Sequence, residues 1–148
     1  MGRAFLGLGS NLGDKETYLR EAVATFTDLY AVSGLYETDP IGGVEQDSYL
    51  NIVIELSTER NSRELLEHGQ ALERKANRER KIRWGPRTLD VDVLWVENDE
   101  KNDPDLTVPH PRMKERAFVM VPLGELAPEF LKDWEDPNDG EVRRIKDW

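Results

Sequence analysis

The chain has 148 residues and no cysteine, which excludes thiol catalysis, Cys-ligated zinc and disulfide scaffolds. Its 30 acidic against 20 basic side chains give a formal charge of −10 and argue against general nucleic-acid binding, which needs basic surface. One domain over 1–148 is expected, with 130–148 its least defined part. No apolar run approaches the roughly 20 residues of a membrane helix. The N-terminus opens into a strand-like segment without a signal-peptide layout, so the cytoplasm is the expected compartment.

Residues 3–9 read as a buried strand that ends in a Gly/Ser/Asn turn. A helix is expected from Asp14 to about Tyr30, because Tyr18, Leu19, Ala22, Val23, Phe26 and Leu29 recur at helical spacing. Residues 31–37 read as a second strand, 39–48 as a loop, and 49–57 as a β-branched third strand. Ser62 is the expected N-cap of a helix from Glu64 to about Arg78. Residues 79–88 form a basic loop with Gly85-Pro86, and 89–96 a fourth, alternating strand. The stretch 97–105 suits a hairpin tip or surface loop, and Pro109-His110-Pro111 is extended or turn-like. A short helix interrupted near Pro122 is expected over 115–126. This order gives an α+β fold with a ferredoxin-like β-α-β-β-α-β core: an antiparallel sheet, helices packed on it, and C-terminal additions.

The charge is uneven. From Arg74 to Arg87 there are seven basic residues and one acid, so that window carries +6 and the remainder −16. A basic island in an acidic chain suits a local anionic ligand. The C-terminal dipole of a helix accounts for Arg74 and Lys75. It does not account for positive charge that continues through a Gly-Pro loop containing Trp84.

Three residues past the island, Asp90 and Asp92 share one face of the fourth strand, with Leu89, Val91, Val93 and Trp95 expected on the core face. Taken alone, the pair suits an ordinary solvent-exposed strand face better than a metal. Beside the basic island it suits a polyphosphate with its Mg²⁺, bound by carboxylates, Arg forks and Lys charges. Gly7, Gly9 and Gly13 follow G-x-G-x-x-x-G, which is neither a dinucleotide fingerprint nor a P-loop, and a tight strand-to-helix turn is the expected role of Gly9, Ser10 and Asn11. Tyr49 and Asn51 share a strand face and together could hold a flat heterocycle; taken alone, a core aromatic and a turn cap fit them better. His110 is held between prolines near Arg112, Lys114 and Arg116, either as part of a phosphate site or as a rigid turn residue. His68 is expected on a helix surface.

Four blocks, spanning residue 5 to about 130, resemble the 6-hydroxymethyl-7,8-dihydropterin pyrophosphokinase family of folate biosynthesis. They are Gly7-Leu-Gly-Ser-Asn-Leu-Gly-Asp14; Tyr36-Glu-Thr-Asp-Pro-Ile-Gly42 with Tyr49-Leu-Asn51; Arg83-Trp-Gly-Pro-Arg-Thr-Leu-Asp-Val-Asp92; and Val108-Pro-His-Pro-Arg-Met113 with Arg116-Ala-Phe118 and Pro122-Leu. The third block is highly specific. The resemblance implies transfer of pyrophosphate from ATP to the pterin hydroxymethyl oxygen, with release of AMP. It implies two Mg²⁺ ions on Asp90 and Asp92, and charge neutralisation by Arg78 and Arg87. Arg80, Lys81, Arg83 and Trp84 would belong to a loop that closes over ATP. Tyr49 and Phe118 would sandwich the pterin, with Thr38, Asn51 and the backbone near Ile41 on its edge and Asp39 beside it. Gln70, Glu73, Thr107, His110 and Arg116 match ATP-binding positions.

ATP and the pterin are thus the expected partners, of a monomer or a dimer, with no nucleic acid or membrane. The chain departs from the family at Asp39, where many members have proline or a small residue, and at Asp105, where some carry a basic ATP contact. The tail from Lys132 to Trp148 matches no family feature. Other readings are a ferredoxin-like RNA-binding module using the basic island, a Mg²⁺-dependent phosphohydrolase built on Asp90 and Asp92, and a non-catalytic ATP sensor. The aromatic pattern of an RNA-recognition sheet is absent from the sequence.

Overall fold

A computed structural model describes residues 1–39, 48–77, 88–138 and 140–148. The fold is α+β. Strand β1 (Gly2–Ser10) leads to helix α1 (Lys15–Ala24), β2 (Leu29–Val32), β3 (Leu35–Thr38), β4 (Tyr49–Thr58), α2 (Ser62–Asn77) and β5 (Asp90–Val96). A small hairpin, β6 (Lys101–Asp103) and β7 (Leu106–Val108), precedes α3 (Ala117–Leu126), and β8 (Val142–Lys146) closes the chain. The main sheet has the order β5-β1-β4-β3-β8, with β2 also paired to β4, and every pairing is antiparallel.

The sheet has two buried faces. Leu6, Leu8, Ile52, Ile54, Val91 and Val93 pack under α1 and α2. Phe5, Val53 and Leu94 pack under Val119, Met120 and Leu123 of α3. Alternation along each strand produces this division, except in β5. There Leu6 pairs with Val93 and Phe5 with Trp95, which leaves Leu94 as the extra residue of a bulge. The bulge moves Trp95 off the expected face. It packs instead with Phe5 and Phe130, whose ring centres lie 6.0 and 5.4 Å away.

Other local expectations also shift. Helix α1 stops at Ala24, and Leu29 and Tyr30 belong to β2, because pairing with β4 overrides the helical spacing. The expected second strand is divided at Ser33-Gly34 into β2 and β3. The N-cap of α2 is Asn61, not Ser62: Asn61 Oδ1 accepts from the Glu64 N–H at 2.9 Å and Glu64 Oε1 from the Asn61 N–H at 3.2 Å, a capping box. Helix α3 continues through Pro122, which is itself buried between Met120 and Leu123. His68 is stacked on Phe26 with ring centres 4.0 Å apart, and its Nδ1 accepts from Arg60 at 2.8 Å. Burial, aided by the Arg60 charge, depresses its pKa.

The tail carries the largest surprise. Strand β8 pairs with β3 and is bound from both sides of the sheet. On one side Glu125 of α3 accepts from the Tyr36 hydroxyl at 2.5 Å, the Gly34 N–H at 3.0 Å and Arg144 at 3.1 Å. On the other, Lys146 reaches Glu16 at 2.8 Å and Trp148 lies under Arg20 at 4.2 Å. Gly34 lets the Arg144 guanidinium approach closely: a Cβ there would stand 2.5 Å from the guanidinium carbon, which would have to shift.

Glu125→Ala should therefore loosen β8 and cost about 2 kcal/mol in a urea titration; an unchanged midpoint would contradict this. Burial raises the Glu125 pKa, but hydrogen bonds from Arg144, Tyr36 and Gly34 outweigh it and the net direction is down. Its contribution is full above the ordinary glutamate value of 4.5 and is lost as the pH falls through the lower folded value.

Candidate active site

The sheet face beneath α3 is not filled along its whole length. Phe5 fills it near the start of β1, but at the next two positions of that face the strand carries Gly7 and Gly9. Gly9 pairs with Asn51 on β4 and Asp90 on β5, and Gly7 pairs with Val53 and Asp92. Two rows therefore cross the sheet with a glycine at the centre of each. Above them lies a cavity of about 470 Å³. Tyr49, Asn51, Thr38 and Asp39 line it on the β3–β4 side, Asp90 and Asp92 on the β5 side, and Arg116 and Phe118 at the start of α3. Gly7 and Gly9 thus belong to the strand and create the cavity floor; the expected turn begins beyond Ser10.

Asn51 is only 6% exposed, and its side-chain amide donates to Thr38 Oγ1 at 3.0 Å, also buried. A Cβ at Gly9 would stand 2.9 Å from Asn51 Oδ1. The glycine thus gives the amide room to lie across β1.

Asp90 and Asp92 project from the same face of β5, as expected. Asp92 has 42% of its side chain exposed, with Arg116 Nη1 3.7 Å from its Oδ2. The Arg116 guanidinium also lies 5.8 Å from the Phe118 ring centre, so one cation links Asp92 to the aromatic end of the cavity. Among the described residues no group of three or more His, Cys, Asp or Glu could hold a metal ion. Two adjacent carboxylates without further protein ligands fit an octahedral cation that takes its remaining oxygens from water or phosphate.

Strand β5 ends the sheet, and its outer edge is satisfied from elsewhere. Glu73 of α2 accepts from the Val91 N–H at 3.0 Å, and the His110 N–H donates to the Leu94 carbonyl at 2.8 Å. His110 Nδ1 accepts from the Arg112 N–H at 3.2 Å, which puts the neutral ring's proton on Nε2. Burial depresses the His110 pKa, the Arg116 and Arg112 charges add to this, and the Asp92 carboxylate opposes it.

Those of the expected site residues that are described fall into two groups. Thr38, Asp39, Tyr49, Asn51, Phe118, Asp90, Asp92 and Arg116 share the cavity. Glu73 and His110 border the outer edge of β5, Thr107 lies on β7, and Gln70 is exposed on α2 one turn before Glu73. Ile41 and the residues Arg78, Arg80, Lys81, Arg83, Trp84 and Arg87 lie outside the described residues. Asp105 pairs with Arg63 at 2.7 Å and ties the β6–β7 hairpin to α2. Sequence reasoning missed Gly140, Glu141 and Val142, which also line the cavity and sit in no recognisable motif.

Residues 5–128 match the family described as 7,8-dihydro-6-hydroxymethylpterin-pyrophosphokinase. The chain belongs to that family. It is 46% identical over 135 residues to the 2-amino-4-hydroxy-6-hydroxymethyldihydropteridine pyrophosphokinase of Bacillus subtilis strain 168, covering 88% of this chain and 81% of that one. It is 43% identical over 136 residues to the protein of the same name from Methylorubrum extorquens, covering 88% and 86%. It is also 39% identical over 140 residues to the bifunctional protein FolKE of Lactococcus lactis subsp. cremoris, covering 91% of this chain and 40% of that longer protein. The family match begins in β1 and ends just after α3. No helix among the described residues is long and apolar enough to cross a membrane.

Gly9→Ala should push the Asn51 amide off Thr38 and cost about 1 kcal/mol of stability. The Asn51 side-chain amide resonances should move while the rest of the spectrum is retained. An unmoved Asn51 signal would show that the glycine is not needed there.

Proposed function

We propose that this protein transfers the terminal diphosphate of ATP to the hydroxymethyl oxygen of 6-hydroxymethyl-7,8-dihydropterin and releases AMP, a step in folate biosynthesis. The observation that carries this reading is the meeting of two carboxylates and an aromatic, amide-floored cavity across Gly7 and Gly9, in a chain of this family. The comparisons give no support to an RNA-binding or phosphohydrolase role.

In this reading the pterin ring lies between Tyr49 and Phe118. Asn51 donates to Thr38 and thereby turns its carbonyl oxygen toward the ring N–H donors, while Asp39 borders the same edge and a backbone contact near Ile41 would complete it. Gln70, Glu73, Thr107, His110 and Arg116 hold ATP along β5, which aims its β-phosphorus at the cavity. The substrate oxygen forms a bond to that phosphorus, the bond from the phosphorus to the α–β bridging oxygen breaks, and AMP leaves with that oxygen. The hydroxyl proton passes to solvent. Such transfer depends on positioning and on neutralising charge.

Arg116 supplies one positive charge between the two substrates. Arg78 and Arg87 add charge on the phosphates, and Arg80, Lys81, Arg83 and Trp84 exclude water over ATP. Two Mg²⁺ ions held by Asp90 and Asp92 would neutralise phosphate charge and make the attacking hydroxyl more acidic. With this reading goes a single domain, as monomer or dimer, that acts on small molecules in the cytoplasm, without nucleic acid or membrane.

AMP release should require ATP, Mg²⁺ and the pterin together; no pterin-dependent AMP from folded protein would contradict the function. Asp92→Asn keeps the shape of the side chain and should lower turnover by about a thousandfold while the unfolding midpoint is retained. Wild-type turnover in that variant would remove the metal role from Asp92.

A further inference from the structure

Strand β8 lies outside the residues that match the family, yet it supplies part of the cavity wall. Val142 pairs with Thr38, and Thr38 pairs with Tyr49, so one row across three strands reads Val142, Thr38, Tyr49. That row puts Val142 on the cavity side of β8. Alternation turns Arg143 to the other side, opposite its cross-strand partner Glu37. There the Arg143 guanidinium meets three carboxylates: Glu37 at 2.9 Å, Asp39 at 3.0 Å and Glu141 at 3.5 Å. Asp39 and Glu141 both line the cavity. Without the guanidinium these three carboxylates would repel one another across the seam between β3 and β8. The hydrogen bonds to Arg143 hold the Asp39 carboxyl below the ordinary range, as that arrangement requires.

We propose that β8 is the outer wall of the pterin site and that Arg143 is the positioning residue that holds this wall against Thr38 and Asp39. The proposal rests on the reading of the cavity as the pterin site. It separates the two substrates, because the residues assigned to ATP lie on α2, on β7 and between β7 and the start of α3, whereas β8 is paired with β3. It also gives Asp39 a partner where many family members have proline or a small residue: the carboxylate is the anchor by which β8 is fixed to the end of β3.

The test uses the full chain with three variants: Val142→Trp, which fills the row beside Thr38, Arg143→Ala, and the conservative Arg143→Lys. KM for the pterin, KM for ATP and kcat are measured for each, with the unfolding midpoint alongside. Val142→Trp should raise the pterin KM roughly tenfold and Arg143→Ala roughly fivefold, both leaving the ATP KM within about twofold of wild type. Arg143→Lys should recover most of the pterin KM, since it restores one cation among the three carboxylates. An unchanged pterin KM in Val142→Trp and Arg143→Ala would overturn the proposal. So would a rise of both KM values in proportion, which a merely structural role would produce. Wild-type protein that forms no pterin-dependent AMP would overturn the functional reading and this proposal together, whereas active wild type with unchanged variants overturns only the proposal.

Discussion

The site depends on what β1 lacks. A central strand ordinarily fills both faces of its sheet, and β1 does so on the side of α1 and α2, where Ala4, Leu6 and Leu8 are buried. On the other side the series runs Phe5, Gly7, Gly9. Two missing side chains at alternate positions leave a trough between β4 and β5, wide enough for Asn51 to lie across it and for Asp90 and Asp92 to face it. Glycine in a strand interior costs stability. The rest of the face is closed: Phe5, Val53, Leu94, Val119, Met120 and Leu123 form one buried cluster.

The elements around that trough arrange charge as well as shape. Net charge says little about the ligand, because −10 averages an acidic surface with a window of +6. At the cavity itself, Arg116 at the N-terminus of α3 lies between Asp92 and the Phe118 ring. The outer edge of β5 has its backbone groups taken by Glu73 and by the His110 segment, which fixes α2 and the residues after β7 relative to Asp90 and Asp92. Small displacements in such supports matter in phosphoryl chemistry, where rate comes from alignment.

Most of this was legible in the sequence for identifiable reasons. Asp90 and Asp92 on one face, and Tyr49 with Asn51 on another strand, follow from a period of two that needs no partner strand to be known. The places of β1, β4, α2 and β5 followed from spacing and turn residues. Long-range pairing was not legible. Leu29 fits a helical stripe but is taken by β4, and the bulge at Leu94 turns Trp95 over because β1 and β5 fall out of register there. The strand at 142–146 has a polar, arginine-rich sequence with no apolar alternation; its stability comes from Glu37, Asp39 and Glu125, residues roughly 20 to 100 positions away. The glycine motif was visible, but its use as cavity floor becomes clear only with Asn51 and Asp90 on either side.

The central claim is that the carboxylates of β5 and the amide-floored cavity serve one reaction. Paramagnetic relaxation tests it most directly, with Mn²⁺ in place of Mg²⁺, a non-hydrolysable ATP analogue and the bound pterin. The hydroxymethyl protons of the pterin should be strongly broadened by Mn²⁺, and Asp92→Asn should remove that broadening while the pterin stays bound. Pterin protons that relax equally with and without Mn²⁺, or equally in wild type and variant, would place the metal elsewhere and contradict the claim.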